Sequence, residues 1–190
     1  HKIPIIPRGA GTALCGHVVP INGGIVLDLQ KINQILEINV NDLYCIVEPG
    51  VIYQNLNNAL KPFKFFFPPD PGSGEVCTIG GMVAANASGQ QAIKYGATRD
   101  YVLGLEMVNS DGKIIDLGTK TIKDTSGYQL ARLMVGSEGT LGIITKIILK
   151  IMPLPETTAS AMAIFDKLEQ AALCVSKIIS TPLIPSQLEL

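Results

Sequence analysis

The stretch Pro7-Arg8-Gly9-Ala10-Gly11-Thr12 follows a short apolar run, residues 3–6, that reads as a β-strand. Two glycines spaced two apart let successive backbone N–H groups turn to one side, forming a nest for an anion such as pyrophosphate. The segment is not a Rossmann fingerprint, because Leu14 stands where that pattern needs its third glycine. Nor is it a P-loop, since no Gly-Lys-Ser/Thr follows. Taken alone, it also reads as an ordinary glycine turn.

Two further segments share its texture. Pro68-Pro69-Asp70-Pro71-Gly72-Ser73 fixes a rigid path with few donors of its own, and residues 77–89 follow with almost no side-chain volume. Gly80, Gly81, Ala84, Ala85, Ala87 and Gly89 suit a backbone lying along a flat ligand, with Ser73, Thr78, Asn86 and Ser88 as hydrogen-bonding groups. They also suit a tight helix-packing face. The third segment is Gly136-Ser137-Glu138-Gly139-Thr140-Leu141-Gly142, running into Ile143 and Ile144. It is either a plain turn in which Glu138 serves as a cap, or a site where Glu138 meets a ligand hydroxyl.

Around these segments the chain reads as α+β, rich in strands and hairpins rather than regular βαβ units. Strands are expected at 24–29, 35–40, 44–47, 102–108, 113–117 and 141–152. The Asp111-Gly112 step makes residues 102–117 the strongest hairpin signal. Helices are expected at 51–60, stopped by Pro62, and at 128–135, opened by Thr125 or Ser126 as cap. A short helix belongs within 77–89. After Pro153 and Pro155 the texture shifts to a strand at 158–165, an amphipathic helix at 167–180 and an apolar segment at 183–190. That last run needs a partner to bury it, so a second domain, truncated in this chain, is expected from residue 156 onward.

The composition bounds the function. At 190 residues, 47% hydrophobic and 16% charged, with a formal net charge of -1, the chain offers no electrostatic basis for nucleic acid or anionic membrane. No apolar run approaches the roughly 18–20 residues of a membrane span. Cys15, Cys45, Cys77 and Cys174 form no C-x-x-C pair, and His1 and His17 are the only histidines, which excludes a zinc site of ordinary local spacing. No metal site is expected, and the cysteines read as free thiols of a reducing, cytoplasmic compartment.

Taken together, the three segments resemble the FAD-binding domain of the vanillyl-alcohol-oxidase, or p-cresol methylhydroxylase (PCMH), type. Within it they are most similar to the branch of glycolate oxidase and D-lactate dehydrogenase. The matching residues are 7–12, 23–29, 49–51, 68–73, 77–89, 94–100, 101–106 and 136–146, nearly continuous over 3–156. The resemblance implies two α/β subdomains with FAD extended between them, over residues 1–155, followed by the start of a C-terminal substrate or cap domain at 156–190. It also implies that a first strand-helix unit lies before His1.

By the same resemblance, Gly9, Ala10, Gly11 and Thr12, with Pro7 and Arg8, would hold the pyrophosphate. Pro71, Gly72, Ser73, Thr78, Gly80 and Gly81 would line the cofactor, and Asn86, Ser88 and Gly89 would continue the wall. Tyr95, Gly96, Thr98 and Arg99 would follow it, while Glu138, Gly142, Ile143 and Ile144 would reach the adenosine or isoalloxazine edges. The FAD is expected to be non-covalent, since nothing marks His17 as a tether and a cysteine at Cys77 goes with unattached flavin in this branch. Relatives oxidise a D-2-hydroxy acid, passing hydride to the flavin and electrons to an acceptor subunit or quinone. Their substrate-binding and base residues lie in the C-terminal domain, so no catalytic residue is assigned in this chain. A homo-oligomer is compatible with the apolar end. Two other readings stand beside this one: an NADPH-dependent flavin reductase of the same fold, disfavoured by residues 77–89 and 100–105, and a split, non-catalytic FAD-binding or assembly subunit.

Overall fold

The computed structural model describes residues 3–189. Strand β1 (Ile5–Arg8) pairs in parallel with β2 (Ile25–Asp28), Ile5 opposite Ile25 and Arg8 opposite Asp28. Parallel pairing aligns their C-terminal ends, so the 9–12 loop and Leu29 leave the ladder side by side. Pro7 sits inside β1, which a short, two-stranded ladder tolerates because few backbone donors are needed there.

The larger unit is a five-stranded antiparallel sheet made of β3 (Ile35–Asn39), β4 (Tyr44–Val47), β6 (Val102–Val108), β7 (Ile114–Gly118) and β8 (Ile143–Lys150). Across the sheet they run in the order β3-β4-β8-β6-β7. Strand β4 is buried along its whole length, whereas β6 and β8 alternate between buried and half-buried residues. The β6–β7 hairpin turns where the Asp-Gly step places it. Asn109 Oδ1 accepts from the N–H groups of Asp111 (2.9 Å) and Lys113 (3.0 Å) there, and Gly112 takes φ +76°. On β8, Lys146 donates to Glu106 of β6 at 2.7 Å, holding that carboxyl below its ordinary range with help from Thr145.

Helices α1 (Tyr53–Leu60) and α2 (Ile79–Ala85) cover one face of this sheet. Leu56, Leu60, Ile79, Met82 and Val83 are buried against Val47, Leu105, Ile147 and Leu149. Phe67, fully buried, plugs the layer, edge-on to Tyr101 at 5.9 Å and tilted against Tyr53 at 6.2 Å. Its N–H donates to Asn57 Oδ1 at 2.8 Å, which fixes the entry to the buried Pro68-Pro69 path. Ahead of it, β5 (Phe65–Phe66) pairs with β9 (Met152–Pro153). Short helices α3 (Ala92–Tyr95) and α4 (Leu130–Met134) and the longer α5 (Leu168–Ile179) complete the elements.

Most expected elements form within a residue or two of their bounds. Two expectations fail: the strand at 158–165 and the cap at Thr125 or Ser126. Residues 158–165 form no strand: no strand among the described residues pairs with them, and Met162 and Ile164 are 89% and 88% exposed. A ladder needs a partner, which apolar composition alone does not supply. Residues 183–189 likewise carry no regular structure, and Leu190 lies outside the described residues. Neither Thr125 nor Ser126 caps α4, whose N-cap is Gln129 without a side-chain bond. Ser126 is spent instead on Asp124, donating to its carboxylate through both N–H and hydroxyl at 2.9 Å.

Phe67 supplies the test of this packing. Phe67→Ala is expected to destabilise the chain by about 3–5 kcal/mol, read as a lower urea midpoint at unchanged slope. A loss below about 1 kcal/mol would contradict its place at the centre of the core.

Candidate cofactor-binding site

A single cleft gathers the three glycine-rich segments. Its walls include Pro7, Arg8, Gly9, Ala10, Gly11 and Thr12 from the first, Pro71, Ser73, Thr78, Gly80 and Gly81 from the second, and Glu138, Gly142 and Ile144 from the third. Residues separated by more than a hundred positions thus share one surface.

Helix α2 organises it. Thr78 caps the helix, its Oγ1 accepting from the Gly81 N–H at 3.2 Å. The N–H groups of Ile79 and Gly80 donate to Val51 O (2.7 Å) and Pro49 O (2.8 Å). At the other end the carbonyls of Val83 and Ala84 accept from Gly136 (2.9 Å) and Glu138 (3.0 Å). The first turn of α2 therefore has its donors committed to protein. By contrast, among the described residues no protein acceptor takes the N–H groups of Gly9, Ala10, Gly11, Thr12 or Ala13. Backbone donors left without a protein partner must be met by water or a ligand. Five in succession, beside Arg8 on the same wall, leave a stretch of donors open to water or a ligand.

The glycines at this site have two different duties. Gly11 takes φ +73°, a conformation that turns the loop back on itself and that a Cβ would oppose. Gly9 lies against Thr78, and a Cβ there would collide with its Oγ1. The small residues thus join the loop to α2 as well as leaving room for a ligand.

Several expected site residues lie outside this cleft. Gly72 lines a separate surface dip with Tyr53 and Glu75. Asn86, left-handed at φ +50°, accepts from the Arg99 N–H at 2.9 Å, and Arg99 Nη2 donates to Val135 O at 2.8 Å. These two clamp α2 to the segment before Gly136. Thr98, fully buried, donates its hydroxyl to Ala87 O at 2.6 Å. Tyr95 packs edge-on to Phe66, Gly96 faces Asp100, Gly89 abuts Asp70, Ser88 is exposed and Ile143 sits half-buried on β8.

The cleft also holds residues that were not assigned to the site from the sequence: His17, Val18, Leu29, Pro49, Met82 and Gly139 among them. Leu29 had a legible signal, since it ends the strand expected at 24–29 and directly follows β2 in the fold. His17 had none, because its neighbours in the cleft are distant in sequence. Cys77, on the same wall, is 4% exposed, and burial pushes its thiol up. It therefore stays protonated and is a poor nucleophile.

The cleft fits a flavin dinucleotide on its own chemistry. Amides without a protein acceptor and the Arg8 cation are the donors a phosphate needs, while the small wall of Ala84, Ala85 and Ala87 with apolar Val18, Leu29, Met82 and Ile144 suits flat rings. Comparison with known proteins agrees. Residues 1–118 match the family model described as FAD binding domain. The chain belongs to this family. FAD is accordingly its cofactor. Across 189 residues it is 49% identical to glycolate oxidase subunit GlcD of Bacillus subtilis (strain 168), covering 100% of this chain and 40% of that protein. It is 41% identical over 189 residues to a D-lactate dehydrogenase of Anaerostipes hadrus, again covering 100% and 40%. A solved alkyldihydroxyacetonephosphate synthase superposes with a TM-score of 0.70 at 29% identity, over 80% of this chain and 28% of that one. The chain spans about 40% of the length of the first two relatives. The resemblance read from the three segments, and the mixed α/β FAD-binding fold, are borne out.

A pair of substitutions separates the two glycine roles. Gly9→Ala forces Thr78 off its cap and is expected to weaken FAD binding at least about tenfold, equivalent to about 1.4 kcal/mol. Gly72→Ala, with nothing within 4 Å of its added Cβ, is expected to leave affinity and stability unchanged. Fluorescence titration with FAD reads both. Equal effects of the two changes would contradict the assignment.

Proposed function

We propose that this chain is the FAD-holding portion of a flavin-dependent dehydrogenase that oxidises a D-2-hydroxy acid of the glycolate or D-lactate type. The observation that carries it is the run of amides at residues 9–13 without an acceptor among the described residues, sharing one cleft with a wall of small residues, in a chain 49% and 41% identical to a glycolate oxidase subunit and a D-lactate dehydrogenase. When bound, FAD supplies the electron-accepting chemistry. The chain's own part is to hold the pyrophosphate on Gly9 to Thr12, lay the rings along α2 and shield one side from water. The boundary near residue 155 belongs to the same proposal. Past Ile151 the only buried hydrophobic among the described residues is Ala171, which suits the beginning of a second domain.

The FAD is held without a covalent bond in this reading, which the protonated, buried Cys77 supports. The hydroxy acid would be bound by residues outside this chain, in keeping with its 40% share of the relatives. An acceptor subunit or quinone would take the electrons, and a relative named as a subunit supports the former. The four free cysteines suit a cytoplasmic setting, and no helix of the described residues is long and apolar enough to cross a membrane.

The chain with FAD added is expected to quench flavin fluorescence at one FAD per chain, to release the flavin intact on denaturation, and to show no reduction by D-lactate or glycolate. The same residues within the full-length protein are expected to be reduced by one of those acids and not by NADPH. Absence of quenching would overturn the FAD-holding role, and reduction by NADPH alone would favour a reductase.

A further inference from the structure

At the rim of the cleft, Cys15, His17 and Glu138 converge from two segments, one potential ligand atom of each lying within 4.8 Å of the others. From this geometry we infer a metal site in which the Cys15 thiolate, a His17 ring nitrogen and a Glu138 carboxylate oxygen bind a thiophilic divalent cation of the zinc type.

The polar accounting of the site leaves a place for a further partner. His17 Nδ1 is buried and makes no hydrogen bond, although Glu138 Oε2 stands 3.5 Å from it. That spacing is long for a charge-assisted hydrogen bond, which runs about 2.7–2.9 Å. It is close to the roughly 3.3 Å that separates nitrogen and oxygen ligands on a tetrahedral zinc with bonds near 2.0 Å. A sulfur and a nitrogen on the same ion stand about 3.6 Å apart, so atoms that now lie within 4.8 Å of one another are in reach of a shared ion once their side chains rotate toward it. One sulfur, one imidazole and one carboxylate form a donor set that zinc accepts, and three protein ligands leave a fourth position open.

The surroundings give the ion a role. His17 and Glu138 line the same cleft as Arg8 to Thr12. A carboxylate on the wall of a phosphate cradle repels its ligand, whereas the same carboxylate on a divalent cation does not. Backbone bonds hold Glu138 at this place, with φ +52° and its N–H on Ala84 O at 3.0 Å. Cys15 is exposed, so the ion has a path from solvent, and coordination displaces the thiol proton into water. The site stands whether or not the cofactor reading holds, because none of its ligands is needed for the free amides.

Cobalt(II) titration of the flavin-free chain is the test. One ion per chain is expected, with a thiolate-to-cobalt charge-transfer band, the intense visible bands of a tetrahedral ion, and displacement by zinc. Cys15→Ala is expected to abolish the charge-transfer band. His17→Gln and Glu138→Gln should each weaken cobalt binding by at least the roughly tenfold that even outer-shell partners of a metal command. Cys174→Ser is expected to bind as the parent does, and circular dichroism confirms that each variant is folded. Absence of the bands in the parent leaves His17 and Glu138 as a simple pair and overturns the site. Bands that persist in Cys15→Ala, or vanish only in Cys174→Ser, overturn it equally.

Discussion

Helix α2 is tied at both ends, and the rest of the structure depends on those ties. Its first amides reach back to Pro49 and Val51, and its last carbonyls receive Gly136 and Glu138. Beyond its C-terminus, Asn86 and Arg99 pass a further bond to Val135. Each bond is modest alone, about 0.5–1.5 kcal/mol net. Together they fix a seven-residue helix that is far too short to persist by itself. The helix in turn is capped by Thr78, against which Gly9 and its loop are set. Stability and ligand placement are thus one problem in this protein.

This coupling explains why the donors fall where they do. A helix N-terminus commonly binds phosphate, but here its amides are spent on holding α2 in position. The amides left without a protein acceptor are those of the loop after β1, whose parallel partner β2 ends beside it. Two parallel strands delivering their C-terminal ends to one crevice is the placement expected of ligand sites in α/β units. The five-stranded sheet supplies the rigid floor, with Ile144 of β8 reaching the cleft.

Much of this was legible in the sequence because it is local. The Asp111-Gly112 turn, the β-branched run of β8 and the small residues of α2 each announce themselves within a dozen positions. What escaped is long-range. Asn86 and Arg99 match the family pattern, yet their side chains brace the backbone of other segments. The meeting of Cys15 and His17 with Glu138 depends on a fold that brings residues 121 positions apart in sequence together (138 − 17). Residues 158–165 have the composition of a strand but no edge to join. Composition reports what a segment prefers, and only the fold decides whether a partner is there.

The central claim is that the amides of residues 9–13, and not those of α2, receive the phosphates. Amide chemical shifts of the isotopically labelled chain, followed by NMR as FAD is added, test it most directly. The largest changes are expected at the N–H groups of Gly9, Ala10, Gly11 and Thr12, with those of Ile79 and Gly80 little moved because Val51 and Pro49 already hold them. Changes centred on Ile79 and Gly80, with the 9–13 loop unaffected, would contradict it.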